Sequence, residues 1–393
     1  MKLVKHGLVV SLLWCVGACG GSEPPEPQVV STGNEGAPPT ARGVDTTDYG
    51  ERQRTRDRSV DEPLVGPLEA DPARRTEWGA ASVWDTVEIV EDGSCCQDLD
   101  GDGLNDNSMG SFLTIYGMVE DAQGDIDVAI GNGESVLLFE YEDFDGSGGP
   151  FEIHVARGAP SVGFMPAAGA LPFQPDPDGG NPYVLDPRSL GEGDAIVSTL
   201  EATYQGGVIT ASADTLVLPF TLWNVPFDMP VRSAELTATA RGLEDPDGGV
   251  ALVGGTLGGV VHVVDVYDGL NDFVSTNCGC LGVEGDLFDY SGPGRYADAS
   301  CVQEFSPEEA VARCVDGPDA PVGAIGTDCA IVATSFCQNI GALGFSLDQY
   351  TDDPSRFCFD LEPTDETPFC DGMSVAIGFT AAGAVIEGVA DVE

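Results

Sequence analysis

Lysine is nearly missing from this chain. Only Lys2 and Lys5 occur, and beyond residue 80 the cationic side chains are seven arginines set against 54 acidic ones, in a protein of formal net charge -50. Affinity for nucleic acid comes from Lys and Arg displacing counterions from phosphates, so that class of partner is excluded. Tryptophan is scarce as well, four in 393 residues, which argues against an aromatic platform for sugars. After the N-terminal segment no apolar run approaches the roughly 20 residues that span a bilayer. The sequence carries no HExxH, G-x-S-x-G, P-loop, dinucleotide fingerprint, S-x-x-K or C-x-x-C. Its three histidines are dispersed, and His154 and His262 sit in apolar surroundings that read as satisfied core positions. What remains is a chain with 42% hydrophobic residues, ample for a core, and an acidity best tolerated where salt screens it or divalent ions bind.

The N-terminus places Lys2, Lys5 and His6 before an apolar run from Leu8 to Val16. That is the pattern of an export signal. Val16-Gly17-Ala18 before Cys19 resembles the lipobox of bacterial lipoproteins, whose signal is cut just ahead of a Cys that then receives lipid. The expected division is therefore a signal at 1–18, Cys19 as the palmitate-type anchor, and a location at the outer membrane or cell surface. Residues 19–80 are rich in Gly, Pro, Ser, Glu and Arg, too polar to offset their ordering entropy, and read as a tether. Residues 81–393 form the folded body.

Within the body, alternating and β-branched segments recur at 135–142, 151–155, 195–204, 207–213, 215–222, 231–240 and 250–253, separated by turn residues. Helical patterns fall at 108–119 and 260–274. Beyond Thr276 the chain becomes Cys-rich. Ser306-Pro307-Glu308-Glu309 is a capping box that predicts a helix, with Phe305 stapled to Ala310. A second helix is expected near Thr327, and strands at 374–380 and 384–389. The fold class that follows is α+β, mainly antiparallel β in a sandwich-like sheet system with a few helices, elaborated at 277–371 by a disulfide-rich, partly helical region.

Setting aside Cys15 and Cys19 leaves ten cysteines, an even number. In an exported chain that reads as disulfides. Cys329 and Cys337 on one helix would stand about 12 Å apart, beyond disulfide reach, so each needs another partner. Cys95-Cys96 and Cys278-Gly279-Cys280 would close strained rings on themselves and should reach outward.

One segment carries chemistry. Asp98, Asp100 and Asp102 occupy positions 1, 3 and 5 of an EF-hand-type calcium loop, Gly103 the sharp turn at position 6, Leu104 the backbone carbonyl at 7, and Asp106 position 9. Position 12, ordinarily a bidentate Glu, is Met109. No helix pattern precedes the loop, so it is closer to the calcium loops of thrombospondin type 3 or dockerin repeats than to a sensor EF-hand. Partial ligand spacings also occur at Asp143, Asp145 and Ser147 and at Asp176 with Asp178, and read as solvated turns.

At these residues the chain resembles a group of predicted lipoproteins of myxobacteria and related bacteria. The shared features are the lipobox, an acidic Pro/Gly tether, the run from Cys95 to Asn107, and a late strand from Asp371 to Thr380. In similar sequences a second calcium-type loop precedes that strand. Here Asp360–Glu366 lacks its Gly. The expectation for function is a lipid-anchored envelope or surface protein, membrane-bound through its anchor, with structural Ca2+ and a role in binding, adhesion or envelope structure toward a surface glycan or protein partner. The alternative is an exported hydrolase, glycan-directed, that uses two carboxylates as acid and base.

Overall fold

Nearly every apolar strand position in this protein finds a place inside one continuous sheet. The computed structural model describes residues 64, 67–90, 97–99, 103–115, 119–166, 171–177, 179–222, 225–243, 249–289, 300–318, 320–321, 325–338, 347–351 and 370–392. The strands are β1 (Ala80–Ile89), β2 (Leu137–Glu142), β3 (Gly149–Pro160), β4 (Asn181–Leu185), β5 (Ser198–Gln205), β6 (Val208–Leu222), β7 (Val225–Arg241), β8 (Ala251–His262), the short pair β9 (Phe288–Asp289) and β10 (Ser300–Cys301), and β11 (Gly372–Val389). Among the described residues five α-helices accompany them: α1 (Ser108–Ile115), α2 (Val119–Gly131), α3 (Val263–Asn277), α4 (Pro307–Cys314) and α5 (Ile325–Ile331).

The sandwich expected from the alternation is not what forms. Nine strands make one sheet in the order β1-β2-β3-β4-β11-β8-β7-β6-β5, and two further pairings, β1 with β11 and β3 with β5, close it. Following the antiparallel pairs gives a barrel, β1-β2-β3-β5-β6-β7-β8-β11 and back to β1. Strand β4 sits between the far ends of β3 and β11, antiparallel to one and parallel to the other. Alternation tells which face of a strand is apolar but not which strand lies beside it, and closure is what removes exposed edges. Breaks in register at Trp84/Thr86, Arg232/Glu235, Thr237/Thr239 and Phe379/Ala381 supply the coiling that a closed sheet needs.

Closure through β4 creates two cores. Trp84, Phe139, Tyr141, Ile153, Leu200, Leu236 and Phe379 fill the main barrel, while Val83, Leu138, Tyr183, Leu185 and Ile386 fill the smaller space enclosed by β1, β2, β3, β4 and β11. Strand β2 lies between them, so Leu137 to Tyr141 are all buried, Glu140 among them, and burial along the strand does not alternate. Gly249, at φ +79°, brings the chain into β8 where an added Cβ would stand 2.4–2.6 Å from the backbone of Ala81 and Ala384. Only glycine fits there.

Residues 67–79, read from sequence as the end of the tether, lie against this body. Leu68 bridges to Ser161, Ala70 to Ala390, and Arg74 pairs with Asp194. Helices α1, α2 and α3 cover one end of the barrel around an apolar cavity of about 130 Å3 between Ile89, Phe112, Ile126, Leu257 and Phe273. The Cys-rich region packs as a third cluster on α3, α4 and α5, with Tyr267, Leu281 and Phe288 buried in it. Among the described residues its disulfides are Cys278–Cys329, Cys280–Cys314 and Cys301–Cys337, so Cys278 and Cys280, and Cys329 and Cys337, reach different partners, as expected, while Cys95, Cys96 and Cys358 lie outside the described residues. Cys370 is also disulfide-bonded. Ser306 caps α4 through its side chain to the Glu309 N–H. Among the described residues no helix is long and apolar enough to cross a membrane.

Candidate functional site

Two places bring chemistry-bearing side chains together. The first is the acidic loop. Asp100 and Asp102 lie outside the described residues, as does Cys19; Asp98, Leu104 and Asp106 are described. Gly103 takes φ +87° at the position where the motif needs its sharp turn. Its N–H donates to Asp98 Oδ2 at 2.9 Å, the Leu99 N–H to Asp106 Oδ2 at 2.6 Å, and the Asp106 N–H to the Gln97 carbonyl at 2.6 Å. The loop is thus folded back on itself with both described carboxylates accepting from its backbone. The Leu104 side chain points to solvent, 68% exposed, which leaves that residue only its carbonyl to offer.

The exit of the loop is tied into the barrel. Asn107, buried, donates from Nδ2 to the Val90 carbonyl at 2.7 Å and accepts at Oδ1 from the N–H groups of Gly110 and Ala376. The Ser108 N–H donates to Ser374 Oγ at 2.8 Å, and Ser374 in turn donates through its N–H and hydroxyl to the two oxygens of Asp348. Burial pushes the Asp348 carboxyl up to about 6 against the hydrogen bonds from Ser374, and the charge of Asp106 adds to the rise. A carboxylate from a distant part of the chain therefore stands within electrostatic reach of the loop. Nothing in the motif spacing could have shown it, because it comes from beyond the Cys-rich helices.

The second place is on the outer wall of the barrel. In an antiparallel ladder, directly opposed residues share a face. Register sets Glu140 opposite His154, Glu142 opposite Glu152, Glu152 opposite Glu201, Glu201 opposite Ser212, and Ser212 opposite Glu235. The result is a row across five strands, with carboxylates on four of them and Ser212 on β6, lining an open groove of about 930 Å3 together with Thr203, Thr210 and Thr237. At its β2–β3 end Glu140 is buried. It accepts from the Gly79 N–H at 2.9 Å and from Arg75 at 3.3 Å, and pairs with His154 Nδ1 at 2.7 Å.

Burial would raise the Glu140 carboxyl, but the hydrogen bonds from His154 and Gly79 and the charges of His154 and Arg75 hold it below its ordinary range. The same bond raises His154 above the usual imidazole value, against the opposing effect of burial. His154 Nε2 faces outward, 3.2 Å from Glu142 and 3.4 Å from Glu152. Reading His154 as a satisfied core residue describes Nδ1 and misses Nε2. Pairing Ser135–Glu142 with Phe151–Val155 as neighbouring strands was the signal that could have found this cluster. His262 is the N-cap of α3, its Nδ1 accepting from the Val264 N–H and its Nε2 lying 3.3 Å from Asp371.

The outer row also settles which kind of barrel this is. A membrane barrel turns apolar side chains to lipid and polar ones inward; here the carboxylates face out and the apolar residues fill the interior. Compared with protein-family models, curated proteins and solved structures, the chain finds no match.

Proposed function

We propose that this is an exported protein, lipid-anchored at Cys19 to the outer membrane or cell surface, whose β-rich body serves binding, adhesion or envelope structure and is completed by one calcium ion in the 98–106 loop. The observation that carries this reading is the stitching of the loop into the last strand through Asn107, Ser108 and Ser374. An ion there would tie mutually repelling carboxylates to the centre of the sheet. Its work would be structural.

Asp98, Asp100, Asp102 and Asp106 with the Leu104 carbonyl would be the ligands. The place left by Met109 would fall to water or to a carboxylate from outside the motif, of which Asp348 is the one that feels the charge of Asp106. Calcium accepts six to eight oxygens, and this set lacks the bidentate Glu of sensor loops, so the affinity expected is that of extracellular modules, roughly 10⁻⁴ to 10⁻³ M. The disulfides fit an oxidising exterior. The partner-facing surface is the glutamate groove, to be screened against surface glycans and proteins with and without calcium.

The alternative, an exported hydrolase using two carboxylates as acid and base, gains no support from the Glu142–Glu152 pair. The ligand atoms of Glu142, Glu152 and His154 lie within 4.8 Å of one another, tighter than the roughly 5–9.5 Å at which paired carboxyls flank a glycosidic bond, so this pair does not fit that chemistry.

Two experiments test the proposal. Calcium titrated into the chain should give one weak site and a rising melting temperature, both lost in Asp98→Asn with Asp106→Asn. Sub-micromolar affinity would refute the ligand count, and equal stability in calcium and chelator would refute the structural role. Cys19→Ser should release the protein from membranes; a variant that resists detergent-free washing would refute the anchor.

A further inference from the structure

Calcium does not account for the imidazole on the outer wall. We propose that His154 Nε2 with the carboxylates of Glu142 and Glu152 forms a binding site for a zinc-type divalent transition metal, and that Glu140 is the buried carboxylate that orients it.

The geometry is set by the backbone. Glu142 and Glu152 oppose each other across β2 and β3, and His154 is two residues along β3 on the same face. A four-coordinate ion with ligands at about 2.0 Å has ligand–ligand edges of about 3.3 Å; the distances from Nε2 to the two carboxylates are 3.2 and 3.4 Å. Two of the three edges thus already stand near the separations that such an ion requires, and all three ligand atoms lie within 4.8 Å of one another. The ring cannot turn away, because the His154 side chain is 10% exposed and its Nδ1 is held by Glu140 at 2.7 Å. An Nδ1–H donated to a carboxylate leaves Nε2 as the lone-pair nitrogen of a neutral ring, the arrangement that histidine ligands of metals adopt.

Charge points the same way. Glutamates directly opposed on adjacent strands repel, and Glu201 stands opposite Glu152 on the other side. Against Glu140, Glu142, Glu152 and Glu201 the structure sets Arg75, and the body has no lysine to add. A divalent ion supplies the missing positive charge. Imidazole nitrogen selects zinc, cobalt, nickel or copper over the hard oxygen-seeking calcium and magnesium. Glu142 and Glu152 are about half exposed, at 49% and 58% of their side chains, so the ion is reachable and its remaining coordination is left to water or to a ligand in the groove.

The test titrates zinc alone into the purified full-length chain by calorimetry, in excess magnesium to occupy the general acidic surface, with cobalt as a visible-absorption probe of tetrahedral nitrogen and oxygen coordination. One zinc per chain is expected, lost in Glu142→Gln with Glu152→Gln, whose exposed side chains can change without disturbing the core. Glu140→Gln should weaken binding about 10- to 100-fold. Asp98→Asn with Asp106→Asn should leave zinc binding unchanged, which separates this site from the calcium loop. Absence of saturable zinc, displacement of zinc by magnesium, or equal binding by the Glu142/Glu152 double variant would each overturn the proposal and leave a protonated His154 bridging carboxylates.

Discussion

At the scale of the residue, Glu140 and Asp371 show how an acidic protein can hold carboxylates at a buried and a half-buried position. Glu140 is 1% exposed and has three partners, the Gly79 N–H, the His154 ring and the cationic Arg75. Removing one partner of a buried charged network strands the others, so Glu140→Gln should cost about 3 kcal/mol in chemical denaturation. Asp371 is the milder case. Burial would raise its carboxyl, yet the His262 ring and the N–H and hydroxyl of Thr351 hold it below the ordinary aspartate value. A depressed carboxylate stabilises the fold above its unfolded value of about 3.9 and loses that contribution as pH falls through the folded value. Asp371→Asn should therefore melt below the wild type at pH 7, by about 1–2 kcal/mol, and the gap should narrow steadily between pH 4 and pH 2. A gap that stays constant over that range would show that the charge of Asp371 contributes nothing.

At the scale of the element, the disulfides and the barrel should separate on unfolding. The Cys278–Cys329 and Cys280–Cys314 bonds hold α4 and α5 to the end of α3. Breaking Cys278–Cys329 by paired Ser substitution should cost about 3–4 kcal/mol of the helical region. Hydrogen exchange should rise in α4 and α5 while the β5–β7 amides keep their protection. Equal loosening of both would mean that the Cys-rich cluster and the barrel are one cooperative unit. The capping box of α4 was legible because its signal is local: Ser306, Pro307 and Glu309 act within one turn. The strands were legible for the same reason, since alternation in Thr215–Leu222 or Val231–Ala240 reports a face. Their closure was not, because the β3–β5 and β1–β11 pairings join residues by register, and β4 in parallel to β11 has no signature of its own. Strand β11 was read as two pieces, split at the glycine- and alanine-rich middle that lets it bend past β1 and β8. The calcium motif was legible as contiguous sequence; Asp348 and the Glu142–Glu152–His154 cluster exist only once distant strands and loops are brought together.

At the scale of the whole molecule the governing quantity is charge. A net charge of -50 makes the folded state repel itself, so any electrolyte should stabilise it by screening, over about 10 Å at 0.1 M salt. Screening and site binding make different predictions. Screening depends on ionic strength alone and is shared by sodium and magnesium chloride once ionic strength is matched. Binding at a loop follows the free concentration of one ion, through the logarithm of its ratio to the dissociation constant. If the loop holds calcium as proposed, the melting temperature at matched ionic strength should be higher in calcium than in magnesium or sodium. The calcium-specific increment should level off only slowly above the millimolar range. Asp98→Asn with Asp106→Asn should erase that increment and leave the sodium response intact, because removing two charges of this many barely alters the overall repulsion. If calcium and magnesium gave coincident melting curves at equal ionic strength, the acidity would act as a diffuse field and the loop would hold no ion.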